Sequence, residues 1–348
     1  MALMKAFVFA LLTLISARSP AFESDQYTLP KTALEDVGPF VSRWAYSNLK
    51  SAVDESKPGE APEQVIDRLL KKLAHCDLGF TQFNASHVAG FCISRYVEKK
   101  LLLNPGFSKP TQFLPRPSIY TGASAPGLFG WFFSDDFNDK DFFWRGFAAN
   151  ANFYGVTIGL DKIGHFLKLG RDYFREYLSQ VSDGATSDEA DRAAISKIGV
   201  WHEMHLFGKT ASGIYSNADL ATNLAGLKFY QRMFFGITLG REDLKPVVVL
   251  ENGRFRLNSE IKSDDLFRPF ISKHMSEALN PNWFTDGRAA LVRLEISKRC
   301  RDWSEAAPAM KPSDYNALAS ELKTWNGLDY GYREQPGGAF TVGNVCNQ

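Results

Sequence analysis

Between residues 155 and 235, apolar side chains recur at helical spacing in three successive runs, and this block constrains the fold more than any other feature of the chain. The runs read GVTIGLDKIGHFLKLGRDYFREYL, SDEADRAAISKIGVWHEMHLFG and SNADLATNLAGLKFYQRMFFG. In the first, Ile163, Leu167, Gly170, Phe174 and Tyr177 follow at steps of four and three, which sets them on one helical face. Asp161, His165, Lys168 and Asp172 then fall on the opposite face. Consecutive helices with short connections pack as neighbours. The expectation is a mainly α-helical fold, a multi-helix bundle-like domain with this three-helix unit at its centre.

The rest of the chain supports that class. Helical patterns are predicted over 33–53, with a break at Gly38-Pro39, and over 62–74, where Pro62 suits a first turn. Further helices are expected over 86–103, 263–278, 288–303 and 312–325, followed by an irregular tail from Gly327. One β-hairpin is predicted over 246–257, because Asn252-Gly253 is a favoured two-residue turn between β-forming runs. The stretch 127–155 is crowded with aromatics, from Phe129 and Trp131 to Phe153 and Tyr154. It reads as a covering over the core, with two alternatives: an envelope-facing patch for lipid or glycan, and a calcium loop around Asp135, Asp136, Asn138, Asp139 and Asp141, whose ligand alternation Lys140 interrupts.

The N-terminus reads as a secretory leader over residues 1–21. Lys5 supplies positive charge, residues 6–15 are apolar, and Ser19-Pro20-Ala21 offers small residues for cleavage. Residues 22–348 are then a single mainly α-helical domain, destined for the periplasm or the exterior. Losing Lys5 and Arg18 with the leader leaves acidic and basic residues almost balanced, so there is no electrostatic case for nucleic acid as a partner. No segment after the leader is apolar enough to span a bilayer, so no transmembrane segment is expected after cleavage. The four cysteines, Cys76, Cys92, Cys300 and Cys346, are even in number in an exported chain, which favours disulfides. The sequence-local pairing, Cys76 with Cys92 and Cys300 with Cys346, is the one expected.

The central block carries the candidate site. Asp161 and His165 are four apart, so a carboxylate and an imidazole meet on one helix face. In the second run, His202-Glu203-Met204-His205 is one residue short of the zinc-protease spacing. Glu203 falls on an apolar arc and needs a partner there. The third run opens Ser216-Asn217-Ala218-Asp219, which reads as a helix cap. Asp219 and Asn223 share a face with Gly226, where a second helix can approach closely.

Together these residues form a pattern, Asp161-Lys162-x-x-His165-Phe166, then Glu203, then Gly213-x-x-Ser216-x-x-Asp219-x-x-x-Asn223-x-x-Gly226. It resembles VanZ-like proteins and a related group of uncharacterised bacterial periplasmic lipoproteins. The resemblance implies a cell-envelope role and marks these positions as a shared site. The charges along these helices set them apart from the membrane-embedded VanZ-like helices, and no lipobox cysteine follows the leader. Three functions stay open from the sequence. One is an envelope hydrolase with Asp161, His165, Glu203, Asp219 and Asn223 as catalytic set. These would converge either on a divalent metal, with His165, Glu203 and Asp219 as its ligands, or on an activated water. The second is a non-catalytic lipid- or glycan-binding envelope protein, and the third is a structural helical domain.

Overall fold

Every residue from Asn217 to Met233 is buried, although the run contains Asp219, Lys228 and Arg232. A helix enclosed on all sides must be the centre of the packing, and its polar residues must find partners inside. The computed structural model describes residues 26–29, 33–73, 93, 97, 150–205, 208–209, 214–284, 286–306, 312–334 and 339–346. The protein is mainly α-helical, with short antiparallel strand pairs.

In chain order, α1 (Gly38–Asp54) and α2 (Pro62–Leu73) pack against each other. Gly38-Pro39 does not break the first helix; it begins it, since proline tolerates the first turn. Strands β1 (Asn150–Phe153) and β2 (Val156–Gly159) make a hairpin through Tyr154 and Gly155. The first central run therefore does not start as a helix at Gly155. Val156 to Gly159 is extended, and the positive φ of Gly155, 86°, turns the hairpin instead.

Helix α3 (Asp161–Gly164) continues through a π-helical turn, His165–Leu169, into α4 (Gly170–Ser182). Helix α5 (Ser187–Ala194), with a Thr186–Glu189 capping box, continues through a second π-turn, Ile195–Val200, into α6 (Trp201–His205). Strand β3 (Ile214–Ser216) leads into the central helix α7 (Asn217–Phe234). The α4 and α7 helices meet at Gly170 and Gly226. A Cβ on Gly226 would lie 2.1 Å from the Phe166 carbonyl oxygen, so only glycine permits this approach.

After α7 come two hairpins, β4–β5 (Ile237–Leu239, Glu242–Leu244) and β6–β7 (Val248–Glu251, Arg254–Leu257). The second is the one predicted over 246–257, and Asn252 and Gly253 both take positive φ, 51° and 75°. Residues 263–278 do not form the expected helix. They make three short 3₁₀ turns, at Ser263–Asp265, Arg268–Phe270 and Lys273–Met275, because Pro269 removes a helical donor in the middle of the run.

Strand β8 (Asn282–Phe284) pairs with β3 and with β9 (Ala339–Phe340). Helices α8 (Asp286–Ser297), α9 (Cys300–Ala306), α10 (Pro312–Glu321) and α11 (Val342–Cys346) complete the chain. The tail is thus more ordered than its glycines suggested.

The main core surrounds α7. A smaller one gathers Tyr27, Ile214, Phe284, Val292, Ile296 and Phe340. The second is held from the N-terminal side. The Tyr27 hydroxyl donates to the Phe340 carbonyl at 3.3 Å, and Trp303 Nε1 donates to the Tyr27 carbonyl at 2.7 Å. It is closed from the C-terminal side by the Cys300–Cys346 disulfide. The expected Cys76–Cys92 pair, the helix over 86–103 apart from Ile93 and Val97, and most of the aromatic stretch 127–155 lie outside the described residues. No helix among the described residues is long and apolar enough to cross a membrane.

Candidate functional site

The site is built where α3 meets the first turn of α7. Ser216 caps α7, its Oγ accepting from the Asp219 amide at 3.1 Å. In a capping box the third helical residue would reach back to the Ser216 amide. Here Glu203, arriving from α6, takes that donor instead: the Ser216 N–H donates to Glu203 Oε2 at 3.2 Å. The Asp219 carboxylate is thereby left to point at α3.

At α3 it meets Lys162, whose side chain is wholly buried. The ammonium lies 2.6 Å from each of three carboxylate oxygens, Asp161 Oδ2, Asp219 Oδ1 and Glu277 Oε1. The Asp219 contact runs off the hydrogen-bond axis, so it is an ion pair without a well-aligned hydrogen bond. A lysine is tolerated at such depth only when its charge is met in this way. Glu277 is held in turn by its backbone, whose N–H donates to Gln26 Oε1 at 3.0 Å.

His165 stands on the other side of Asp219, with Nε2 3.4 Å from Asp219 Oδ2. Its Nδ1 lies 3.2 Å from Asn223 Oδ1. An amide oxygen only accepts, so Nδ1–H donates to Asn223, and Nε2 is the nitrogen that faces Asp219. The Tyr173 hydroxyl is buried beside Asn223 and backs it from α4, without a well-aligned hydrogen bond. His165 is the partly open member of the group, 16% exposed, whereas the side chains of Asp161, Lys162, Asp219 and Glu277 are 5% or less. Solvent therefore reaches the site on the imidazole side.

Two neighbouring carboxyls are driven in opposite directions. Burial pushes Glu203 well above the usual carboxylate range, and the Asp219 charge adds to the effect. Burial pushes Asp219 up as well, but His165 and Lys162 outweigh it and hold Asp219 below its ordinary value. The two pKa values are thereby driven apart, and Glu203 keeps its proton to higher pH than Asp219 does.

One oxygen of Asp161, one of Asp219 and a ring nitrogen of His165 lie within 4.8 Å of one another. Around a tetrahedral zinc with bonds of 2.0–2.1 Å, ligand atoms sit about 3.3 Å apart. The 3.4 Å separation of His165 Nε2 and Asp219 Oδ2 matches that edge and is long for a hydrogen bond. The ring is also fixed through its other nitrogen by an amide oxygen, the arrangement that metal-bound histidines commonly have. With a small adjustment of its side chains, the group offers a divalent metal one imidazole and two carboxylate ligands.

Of the residues singled out in the sequence, Asp161, His165, Asp219 and Asn223 come together here. Glu203 abuts the group through the Ser216 cap and lies outside the trio of converging ligand atoms. Lys162 and Glu277 are the two members that helical periodicity does not single out. Lys162 stands inside the Asp161–His165 motif itself, which is the signal that points to it. Glu277 belongs to a distant segment and leaves no local trace. His205 turns away, its Nδ1 3.0 Å from the Trp201 carbonyl and its ring stacked on the Trp201 indole.

In comparison with known proteins, the chain matches no protein-family model, no curated protein and no solved structure. The likeness to VanZ-like proteins therefore rests on the motif residues alone.

Proposed function

We propose that this protein is an exported hydrolase of the cell envelope that works with a divalent cation held by Asp161, His165 and Asp219. The observation that carries the reading is that these three ligand atoms lie within 4.8 Å of one another, with the imidazole pre-oriented by Asn223. Structural zinc sites are closed by four protein ligands, whereas catalytic ones keep three and leave a position for water. Three ligands, with the histidine on the solvent side, fit the second kind. When bound, the cation would supply an activated water.

The chain's own residues supply the rest. Asn223 holds the His165 tautomer, and Lys162 and Glu277 fix the two aspartates. Glu203 accepts from the Ser216 amide at the start of α7, and its raised pKa leaves Asp219 the more readily ionised member of their pair. Export is supported by the leader over residues 1–21 and by the Cys300–Cys346 disulfide, a bond that persists in oxidising compartments.

The test is zinc binding to the mature protein, followed by hydrolysis of ester, phosphodiester and glycosidic substrates drawn from envelope components. Binding of one equivalent and hydrolysis that both vanish in His165→Ala support the reading. A folded protein that takes up no metal and turns over none of these substrates would instead be a structural domain with a buried polar network.

A further inference from the structure

We infer that Lys162 is a resident rival of the divalent cation, a fixed ammonium that keeps the metal loosely held and exchangeable. The inference rests on the metal reading of the site and adds how that site is regulated. Two of the three carboxylates on Lys162 are the aspartates of the ligand group. On Asp219 the division is explicit: Oδ1 faces the ammonium at 2.6 Å, and Oδ2 faces His165 Nε2 at 3.4 Å. A metal beside His165 would draw on a carboxylate whose charge is already half spent, and it would sit close to a like charge.

The ammonium has no path of retreat. Its side chain is 0% exposed, and the third carboxylate, Glu277, holds it from outside the ligand group. Glu277 is itself pinned, because its N–H donates to Gln26 Oε1 at 3.0 Å. A long, exposed lysine would swing aside as a metal entered. This one stays and repels, so the site is set for reversible loading instead of permanent retention.

The experiment compares zinc affinity by titration calorimetry in the mature wild type, Lys162→Met, and the double variant Lys162→Met/Glu277→Gln. The double variant removes one positive and one negative charge, so it keeps the local balance and protects against a failure to fold; circular dichroism checks each protein first. Rivalry predicts that zinc binds at least about tenfold more tightly to the double variant than to wild type. It also predicts that zinc raises the melting temperature of Lys162→Met more than that of wild type. Measurable binding to wild type with equal or weaker binding to both variants would overturn the rivalry and make Lys162 a simple positioning residue, while the metal site stands. Absence of zinc binding in all three folded proteins would overturn the metal site itself, and the rivalry with it.

Discussion

Replacing Glu203 with glutamine should make the protein more stable at neutral pH, against the usual effect of changing a buried polar residue. The side chain is almost fully buried, at 2% exposure, and burial together with the Asp219 charge raises its pKa well above 4.5. The native state therefore keeps this proton to a higher pH than the unfolded chain does. Stability linked to Glu203 is fully present below the unfolded pKa and is lost as pH rises toward the native one. The loss approaches about 1.4 kcal/mol per pH unit within that window.

Glutamine has no such proton to lose, and its Oε1 can still accept from the Ser216 amide. The change also adds no volume beside Gly208, whose Cα position leaves no room next to Glu203 Oε2. Melting curves of wild type and Glu203→Gln from pH 4 to pH 8 test this. Near pH 4 the two should differ least, and the variant should gain about 2 °C on wild type per pH unit as pH rises through the window. Curves that stay parallel across the range, or a variant that falls behind as pH rises, would refute the claim that burial raises the Glu203 pKa.

Other substitutions probe the remaining parts. Gly226→Ala should cost at or above the upper end of about 1–3 kcal/mol, since its Cβ would meet a backbone oxygen and α4 would have to move; denaturant unfolding measures it. Replacing Cys300 and Cys346 together with serine should cost about 4 kcal/mol, from a crosslink across 46 residues, seen as an earlier unfolding midpoint under non-reducing conditions. His165→Ala should lower stability by about 1–3 kcal/mol, because it strips a partner from Asp219 and Asn223, while the far-ultraviolet circular dichroism stays unchanged.

Much of this architecture is written locally. Pro62 at a helix start, Ser216 before Asp219 and Asn252-Gly253 between two β-forming runs each act through their own backbone, and each is found as its chemistry demands. The Asp161–His165 spacing likewise brings both side chains to one site. Other features depend on distant partners or on a change of period. A wheel drawn at 100° per residue put Lys168 on the face opposite the apolar stripe, yet Lys168 is buried and paired with Asp172. The π-turn from His165 to Leu169 shifts the phase of that helix, and periodicity alone carries no sign of it. Lys162 looks like an ordinary helical lysine until Asp219 and Glu277 arrive from 57 and 115 residues away. Glu203 showed its need for a partner through its apolar surroundings, but the partner, a backbone amide at the start of another helix, appears only in three dimensions.

The most direct test of the central claim is a calorimetric titration of zinc into the mature, metal-free wild type, run beside His165→Ala and Asp219→Asn. The Asp161–His165–Asp219 site predicts one equivalent bound by wild type and binding weakened at least about tenfold in each variant, with all three proteins folded. Equal zinc binding by wild type and both variants, or no binding by a folded wild type, would contradict it.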